Sequence, residues 1–325
     1  MSKTSKFLII FLVSFAGWWG ANLLYQNLED FYYFSEVSKN PKLFLAQVNM
    51  SPETKLNRQI AEKYPEIGDM EIEAASAVSF LMPEKGEGKI IFQKNIDERR
   101  PIASLTKMMT ALVAKELYRP EQIMIVSEEA VNQEEQTGDL KKGDKLSLSE
   151  LLHSALIESS NDAAWAIAEG KMMGAENFVG VKGFVELMNL ETVNLKMENT
   201  NFVNPTGLDG QENYSTARDL LKLVQYIINK HPDILEITQK KSYEVLNSDG
   251  TLHHFIPENT NKLLGQNGLQ IVGGKTGFTD EAGGCIILVL KEKDGDYLIN
   301  LILGAKSQET RFEEMQKIIK AINAK

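Results

Sequence analysis

Short apolar runs near the two ends of the chain predict strands, and a long stretch between them predicts helices. Glycine-containing turns join these runs in two pairs, so we predict two β-hairpins. The four runs are residues 75–81, 90–95, 285–291 and 297–303. Residues 104–231 have a mainly helical pattern, and residues 312–322 predict a closing amphipathic helix. The order of these elements predicts an α+β fold, in which one antiparallel sheet is flanked by helices and accompanied by a helical subdomain.

The first helix of the middle region begins at a serine. Apolar residues recur at helical spacing from Leu105 to Val113 and predict a helix over residues 104–118. Pro120 ends it, because the residue before a proline is pushed out of the α region. Ser104 therefore lies at a helix N-terminus, where free N–H groups and the helix dipole favour a developing negative charge. Lys107 lies one turn further along, on the same face.

Ser104 and Lys107 form the only S-x-x-K sequence in the chain. A serine hydroxyl becomes a good nucleophile when a neighbouring base removes its proton, and a neutral lysine can act as that base. Burial beside a second cation lowers the pKa of a lysine, and Lys275 is our candidate for that cation. On its own, S-x-x-K is usually an N-cap serine followed by a solvated lysine, so its meaning depends on the other motifs.

A second motif, Ser159-Ser160-Asn161, interrupts two predicted helices. Ser147 and Glu150 match a capping box that opens the first helix, and the second runs over residues 162–169. A helix–loop–helix corner can point a hydroxyl and an amide into a cleft. Alternatively, Asn161 caps the second helix, and the two interpretations are compatible. Residues 38–40 also fit S-x-N, but they precede the nucleophile and lie near the N-terminal segment, so we set them aside.

A third motif, Lys275-Thr276-Gly277, follows the apolar residues 269–272 and two glycines, and predicts the start of a strand. The two glycines let a substrate backbone approach closely. The lysine and threonine side chains suit a carboxylate. The backbone N–H of Phe278 can pair with that of Ser104 to form an oxyanion hole. The competing interpretation is a strand lysine in a glycine-rich turn.

The ordered set S-x-x-K, S-x-N and K-T-G resembles that of the D-alanyl-D-alanine carboxypeptidases, the low-molecular-mass penicillin-binding proteins of peptidase family S11. The resemblance runs from about residue 75 to residue 322 and includes residues 204–209 and 275–283. It implies the serine β-lactamase/DD-peptidase fold, with a cleft between sheet and helical part. The chain departs from the family at Thr206, where a histidine is common, and at Gly284-Cys285, where an aromatic residue and an asparagine are common.

The resemblance also implies roles for the residues of the first two motifs. Ser104 matches the nucleophile that forms the acyl-enzyme, and Lys107 matches its general base. Ser159 matches the serine that relays a proton towards the leaving amine. Asn161 matches the amide that holds the substrate backbone.

The same resemblance implies a substrate-binding set around the third motif. Lys275 matches an electrostatic lysine, and Thr276 and Arg311 match positions that hold the terminal carboxylate of the substrate. Gly277 and Phe278 complete this set. The resemblance implies no cofactor and no metal.

The implied activity is removal of the terminal D-alanine of peptidoglycan stem peptides through an acyl-serine, with β-lactams as covalent inhibitors. Two alternatives keep the acylation: a DD-endopeptidase, or a β-lactamase. Glu186 is a weak candidate for the deacylating glutamate of a β-lactamase, because it lies in a helical pattern and at a short spacing. A wall-binding protein with an inactive site is disfavoured, because every motif position is intact.

Composition and charge add expectations about the fold and the partners of the protein. The chain has 325 residues, 43% of them hydrophobic, which is ample for a folded catalytic domain. A net charge of −10 disfavours nucleic acid as a partner. Cys285 is the only cysteine, which excludes an intrachain disulfide, and we place it in a buried strand. The four histidines lack metal-site spacing, and we expect His253 and His254 to lie in a solvated turn.

The N-terminus predicts export. Residues 7–25 are free of charge and mostly apolar, close to the ~20 residues that a spanning helix needs. A cleaved signal peptide competes with an uncleaved anchor that has Trp18 and Trp19 as interfacial residues. We favour the anchor, because the cleavage site at residues 14–16 is poor. The catalytic part is then at the extracytoplasmic face of the membrane.

The predicted organisation has three parts. Residues 1–25 are the membrane anchor or signal peptide, residues 26–73 a connector, and residues 74–325 the DD-peptidase catalytic domain. We do not expect the β-rich second domain or the C-terminal amphipathic helix that many members of the family carry.

Overall fold

The computed structural model describes residues 62–67, 70–134, 138–174, 179–210, 212–266 and 268–323. The predicted anchor or signal peptide, residues 1–25, lies outside this part of the chain. Within the part that is described, no helix is both long enough and apolar enough to cross a membrane.

A five-stranded antiparallel sheet forms one part of the fold, with strand order β2-β1-β9-β8-β7. Its strands are β1 Ser76–Met82, β2 Lys89–Lys94, β7 Ile271–Thr279, β8 Gly283–Lys291 and β9 Tyr297–Ala305. Both predicted hairpins are confirmed, as β1–β2 and β8–β9. Since β1 pairs with β9, the two ends of the catalytic region meet in the middle of the sheet.

The interior strand β8, which lies between β9 and β7, explains why helices flank this sheet. Every residue from Gly284 to Leu290 is buried, so the strand has no solvated face. The sequence of a strand that is buried on both faces is a continuous run of apolar residues, without the alternation of apolar and polar residues seen in half-exposed strands. Cys285 lies in this strand and is fully buried, as predicted, and burial raises the pKa of its thiol to about 11.

The middle of the chain forms the helical part predicted from its periodicity. A 3₁₀ turn, Ala103–Leu105, leads into the first helix, and a π-helix, Ser154–Glu158, follows the third. The α-helices are α1 Thr106–Leu117, α2 Glu128–Val131, α3 Leu148–His153, α4 Asn161–Glu169, α5 Gly180–Asn194, α6 Ala217–Lys230, α7 Pro232–Thr238 and α8 Thr310–Asn323. Residues of α1 from Thr106 to Ala114 are all buried, so this helix is the core of the helical part.

Two small sheets accompany the main one. One pairs β3 Ile123–Ile125 with β4 Lys145–Ser147, and the other pairs β5 Tyr243–Leu246 with β6 Leu252–Ile256. The Ser147 side chain caps α3 by accepting from the Glu150 N–H, as predicted. The Glu150 carboxylate instead accepts from the hydroxyl of Tyr243 and the N–H of Leu246, so it anchors β5 to α3.

The prediction of a solvated turn at His253 and His254 is wrong. Both residues lie in β6, and their side chains are 8% and 6% exposed. Each ring contacts a carboxylate, Asp144 for His253 and Glu158 for His254.

Candidate active site

Ser104 and Lys107 meet at the start of α1. Ser104 lies in the 3₁₀ turn that precedes the helix, and Lys107 is in the first turn of the helix itself. The Lys107 Nζ is 2.8 Å from the Ser104 Oγ. Lys107 is only 1% exposed, whereas Ser104 is half-buried and lines a cleft. The pair is therefore a buried amine beside a hydroxyl that a substrate can reach.

Two carbonyl oxygens also bind the Lys107 amine. They are Oδ1 of Asn161, at 2.6 Å, and the backbone oxygen of Thr206, at 2.8 Å. Asn204 holds the Thr206 carbonyl in place, because its Oδ1 accepts from the N–H groups of Thr206 and Gly207. The sequence does not indicate this carbonyl in advance, because every residue carries one.

The S-x-N motif occupies the junction between the π-helix and α4. Ser159 has φ +71°, a left-handed conformation that side chains other than glycine adopt with strain. Ser160 caps α4 by accepting from the Ala163 N–H, so the alternative that Asn161 is the cap is wrong. Asn161 is the first residue of the helix, and its Nδ2 donates to the Glu134 carbonyl while its Oδ1 accepts from Lys107. The two contacts fix the orientation of the amide.

Lys275 and Thr276 come from β7, the edge strand of the sheet. The Lys275 Nζ donates to Oγ of Ser159 at 2.9 Å and to the Thr276 carbonyl at 3.0 Å. Burial, together with the charges of Lys107 and Arg311, holds the pKa of Lys275 well below the usual range of a lysine. The prediction that Lys275 lowers the pKa of Lys107 stays a prediction.

Gly277 lets β7 pass close to the nucleophile. A Cβ at this position would lie 2.8 Å from the backbone N of Ser104 and 2.9 Å from the Cβ of Ala103. Only glycine permits this approach without a shift of the backbone. We predicted that Gly273 and Gly274 let a substrate backbone approach. In the structure, the absence of a side chain at these positions leaves room for α7 beside Gly273 and for β8 beside Gly274. The two glycines pack against these elements and are not among the lining residues of the cleft described below.

Arg311, in the first turn of α8, reaches the same strand. Its Nη1 donates to the Gly277 carbonyl at 2.7 Å, and the residue is 5% exposed. Burial lowers the pKa of the Arg311 guanidinium to about 10, so the group stays charged at neutral pH. Its Nε is buried and has no hydrogen-bond partner among the described residues. Arg311 thus contacts β7, and the residue also lines the cleft.

A cleft of about 300 Å³ brings most of the predicted site residues together. Its lining includes Ser104, Ser159, Asn161, Thr276, Gly277, Phe278 and Arg311. Sequence reasoning missed four further lining residues, Glu158, Thr260, Lys262 and Gln308. Thr260 accepts from the Thr276 hydroxyl at 2.7 Å, so it orients that side chain.

The other candidates from the sequence lie elsewhere. Glu186 is exposed on α5 and does not line the cleft, so nothing in the described residues places it as a deacylating base. No group of side chains in the described part of the chain has the arrangement of a metal site. The cleft combines a serine hydroxyl beside a buried lysine amine, a second buried lysine and a close approach of the backbone, an arrangement compatible with acyl transfer to a serine.

Comparison with known proteins agrees with this geometry. A family model described as D-alanyl-D-alanine carboxypeptidase matches residues 62–307. The chain is 31% identical over 262 residues to the D-alanyl-D-alanine carboxypeptidase DacC of Escherichia coli, an alignment that covers 77% of this chain and 62% of that protein. It is 33% identical over 247 residues to the D-alanyl-D-alanine endopeptidase of Pseudomonas aeruginosa, covering 74% of this chain and 75% of that protein.

Solved structures give the same fold. The crystal structure of the Streptomyces K15 DD-transpeptidase matches with a TM-score of 0.70 at 27% identity, covering 80% of this chain and all of that one. The chain spans about three fifths of the length of DacC, whereas it spans the K15 structure completely.

Proposed function

This chain belongs to the D-alanyl-D-alanine carboxypeptidase family, and from that premise we propose that it is a serine-type D-Ala-D-Ala carboxypeptidase. In this proposal it removes the terminal D-alanine of peptidoglycan stem peptides through an acyl-serine at Ser104. β-Lactams, which form the same covalent bond, are its inhibitors. The observation that carries the proposal is the hydrogen-bonding of the Lys107 amine.

In this proposal Lys107 acts as a neutral amine, and its contacts with Ser104, Asn161 and Thr206 are compatible with that form. A carbonyl oxygen accepts but cannot donate, so Asn161 and Thr206 each need an N–H from Lys107. A neutral amine has two N–H groups and one lone pair. Once both N–H groups are used, the lone pair faces Ser104 Oγ at 2.8 Å. This is the arrangement of a general base that removes the serine proton.

Lys275 and Lys107 interact electrostatically in the same buried site. Two ammonium groups in one buried site repel each other, and the lowered pKa of Lys275 has the charge of Lys107 among its causes. A site with one fewer proton relieves this repulsion. The Ser159 hydroxyl, 2.9 Å from Lys275 Nζ, then offers a route for the proton to the leaving amine.

The proposed reaction uses these groups and one water molecule. Ser104 Oγ bonds to the carbonyl carbon of the penultimate D-alanine, and the C–N bond to the terminal D-alanine breaks. The serine proton passes through Lys107 and Ser159 to the leaving amine. Water then hydrolyses the ester, which restores Ser104 and leaves a shortened stem peptide. The developing oxyanion is stabilised by the N–H groups of Ser104 and Phe278.

In this proposal, Thr276 and Arg311 bind the terminal carboxylate of the substrate. Both line the cleft beside Gly277, and Thr260 orients the Thr276 hydroxyl. The Arg311 guanidinium is planar and suits a carboxylate through two parallel hydrogen bonds. The substrate lies outside the cytoplasm, so we place the catalytic domain at the extracytoplasmic face of the membrane, anchored through residues 1–25.

A DD-endopeptidase is the second candidate. The observation that favours it is the similarity to the D-alanyl-D-alanine endopeptidase of Pseudomonas aeruginosa, because this chain covers 75% of the length of that protein. An endopeptidase would cut a crosslink between two stem peptides by the same acylation of Ser104, so the two candidates differ in substrate and not in chemistry.

Mass spectrometry of purified muropeptides separates the two candidates. The proposal predicts that incubation with the protein shortens pentapeptides by one alanine while crosslinked dimers persist. Conversion of dimers to monomers, with pentapeptides intact, would identify an endopeptidase instead. The Ser104→Ala variant is the matched control and should leave both muropeptides unchanged.

A further inference from the structure

A hydrogen bond joins residues 204–209, which we call the Asn204 segment, to the end of β7. The Thr279 hydroxyl donates to Oδ1 of Asp209 at 2.5 Å, although the two residues are 70 positions apart in sequence. The same hydroxyl accepts from the Ala282 N–H at 3.1 Å, so it also holds the connection from β7 to β8. Thr279 is buried, Asp209 is half-buried, and neither residue lines the cleft. The proposed acylation gives no role to either side chain.

The Asn204 segment is held in one shape by its own side chains and by α1. Oδ1 of Asn204 accepts from the Gly207 N–H at 2.7 Å, and its Nδ2 donates to the Leu208 carbonyl at 3.0 Å. The Thr110 hydroxyl, on α1, donates to the Pro205 carbonyl at 2.6 Å. The segment is therefore attached to the helix that follows the nucleophile.

The Asn204 segment and β7 both approach the backbone of Ser104 closely. A Cβ at Gly207 would lie 2.0 Å from the carbonyl oxygen of Ala103 and 3.0 Å from the backbone N of Ser104. A Cβ at Gly277 would lie 2.8 Å from the same nitrogen. Gly207 has φ +88°, in the left-handed region that favours glycine, so its conformation and its contact both depend on this residue type. The backbone of Ser104 is therefore in contact with both neighbours.

These contacts close a ring of three parts of the chain. The 3₁₀ turn of Ser104 meets the Asn204 segment at Gly207 and meets β7 at Gly277. The strand β7 then meets the Asn204 segment through Thr279 and Asp209. The first two junctions are van der Waals contacts, which limit how closely the parts approach but are individually weak. The third is a directional hydrogen bond. Since β7 is also paired with β8, loss of this bond affects the end of β7 and leaves the sheet in place.

We propose that Asp209 is a positioning residue for acylation: its hydrogen bond with Thr279 fixes the end of β7 relative to the backbone of Ser104. The kinetic part of this inference rests on the proposed function, in which the N–H groups of Ser104 and Phe278 stabilise the developing oxyanion. Phe278 directly precedes Thr279 in β7, so the spacing of the two donors depends on where the end of this strand lies. Loss of the Asp209 contact lets the donors move apart and slows acylation.

The kinetic test compares Asp209→Ala with Asp209→Asn. An asparagine side chain keeps an oxygen that accepts from the Thr279 hydroxyl, whereas alanine removes the acceptor. Stopped-flow acylation by a fluorescent penicillin separates the dissociation constant of the first complex from the rate constant of acylation. We expect Asp209→Ala to lower the rate constant about three- to tenfold, the factor that one hydrogen bond is typically worth. The dissociation constant should stay at the wild-type value, because the oxyanion forms only in the transition state. Asp209→Asn should retain most of the wild-type rate constant.

Asp249→Ala is the matched control. Asp249 accepts from the Thr251 hydroxyl at 2.6 Å in the turn between β5 and β6, and it does not line the cleft. The control therefore loses the same type of hydrogen bond elsewhere in the protein, and its acylation should match that of the wild type. A wild-type rate constant in Asp209→Ala would overturn the inference. An equal loss in Asp209→Asn and Asp209→Ala would overturn it too, because the retained acceptor would then have no effect.

A double-mutant cycle tests the contact from the other side. Thr279→Val removes the donor, and combining it with Asp209→Ala should slow acylation no further than Thr279→Val alone, because both substitutions break one hydrogen bond. Losses that multiply in the double variant would show that the two side chains act independently, which contradicts the inference.

A last measurement needs no acylation. The Ser104 N–H belongs to a different junction of the ring from Asp209, so its signal in ¹H–¹⁵N NMR spectra shifts only if the parts of the ring move. We expect this signal to shift in Asp209→Ala and to stay at the wild-type position in Asp209→Asn and Asp249→Ala. An unshifted signal in Asp209→Ala overturns the inference. A wild type that takes no penicillin defeats the proposed function, and the NMR comparison still decides whether Asp209 positions the backbone of Ser104.

Discussion

Replacing Arg311 by alanine separates a contact seen in the structure from a role that the proposed function gives to the same side chain. The guanidinium donates to the Gly277 carbonyl at 2.7 Å, a contact that exists without substrate. In the proposed function it also binds the terminal carboxylate of the stem peptide. The first contact braces β7 for every substrate, whereas the second serves only substrates with a free C-terminus.

The expected magnitude follows from the charge of the donor. A hydrogen bond from a charged group is worth about 1.5–3 kcal/mol. Since about 1.4 kcal/mol corresponds to a factor of ten in rate, each lost contact slows the reaction by about ten- to 150-fold. A peptide ending in D-Ala-D-Ala loses both contacts in Arg311→Ala. The same peptide with an amidated C-terminus is a poor substrate already and loses only the brace to Gly277.

The assay is kcat/KM for release of the C-terminal residue from the two peptides. We expect the loss on the free acid to exceed the loss on the amide by about ten- to 150-fold. Arg218→Ala is the matched control, because that arginine pairs with Asp97 on the surface and does not line the cleft. It should leave both values near those of the wild type. Equal losses on the two peptides would refute carboxylate recognition and leave Arg311 with its structural contact alone.

Three further substitutions test other parts of the site. Lys107→Ala removes the proposed base and should slow penicillin acylation by about 10²–10⁴-fold in single-turnover kinetics. Gly277→Ala places a methyl group 2.8 Å from the backbone N of Ser104, so stopped-flow acylation should slow and the melting temperature should fall, because overpacking typically costs about 1–3 kcal/mol. Lys275→Met removes a lysine whose folded-state pKa is depressed. In the wild type, the free-energy cost of burying the charged lysine is complete below the folded-state pKa and shrinks as the pH rises from there towards the unfolded-state pKa. The variant does not bear this cost. Its melting temperature relative to the wild type should therefore be higher at neutral pH than near pH ~10, the range in which an unfolded lysine titrates.

The sheet and the three motifs could be predicted because their signals are local. Apolar runs joined by glycine turns define β1–β2 and β8–β9. The three-residue spacing of S-x-x-K places both side chains on one face of a helical turn, which agrees with the 2.8 Å contact between Lys107 and Ser104. The order of the motifs suggested that they share a cleft, and the structure brings them together there. The roles assigned to individual residues stay predictions until they are measured.

The partners of the motif residues could not be predicted in the same way. The amine of Lys107 is held by the backbone oxygen of Thr206, 99 residues away in sequence. Every residue has a backbone carbonyl, so the sequence carries no direct sign of which one will be used. The strained turn at Ser159 is similar, since it depends on how the π-helix meets α4.

The histidine pair shows why a polar pattern alone misleads. Two adjacent histidines in a short polar segment suggested solvent exposure, yet β6 buries both. Their partners, Asp144 and Glu158, lie 109 and 96 residues earlier in the chain. Buried polar side chains need such partners, but the partners become neighbours only after folding.

The central claim is that Ser104 forms an acyl-enzyme, and intact-mass spectrometry after incubation with penicillin tests it most directly. The account predicts one covalent penicillin adduct on the wild type, mapped by peptide digestion to Ser104, and no adduct on Ser104→Ala. An adduct that forms on Ser104→Ala as fast as on the wild type, or that maps to another residue, would contradict the account.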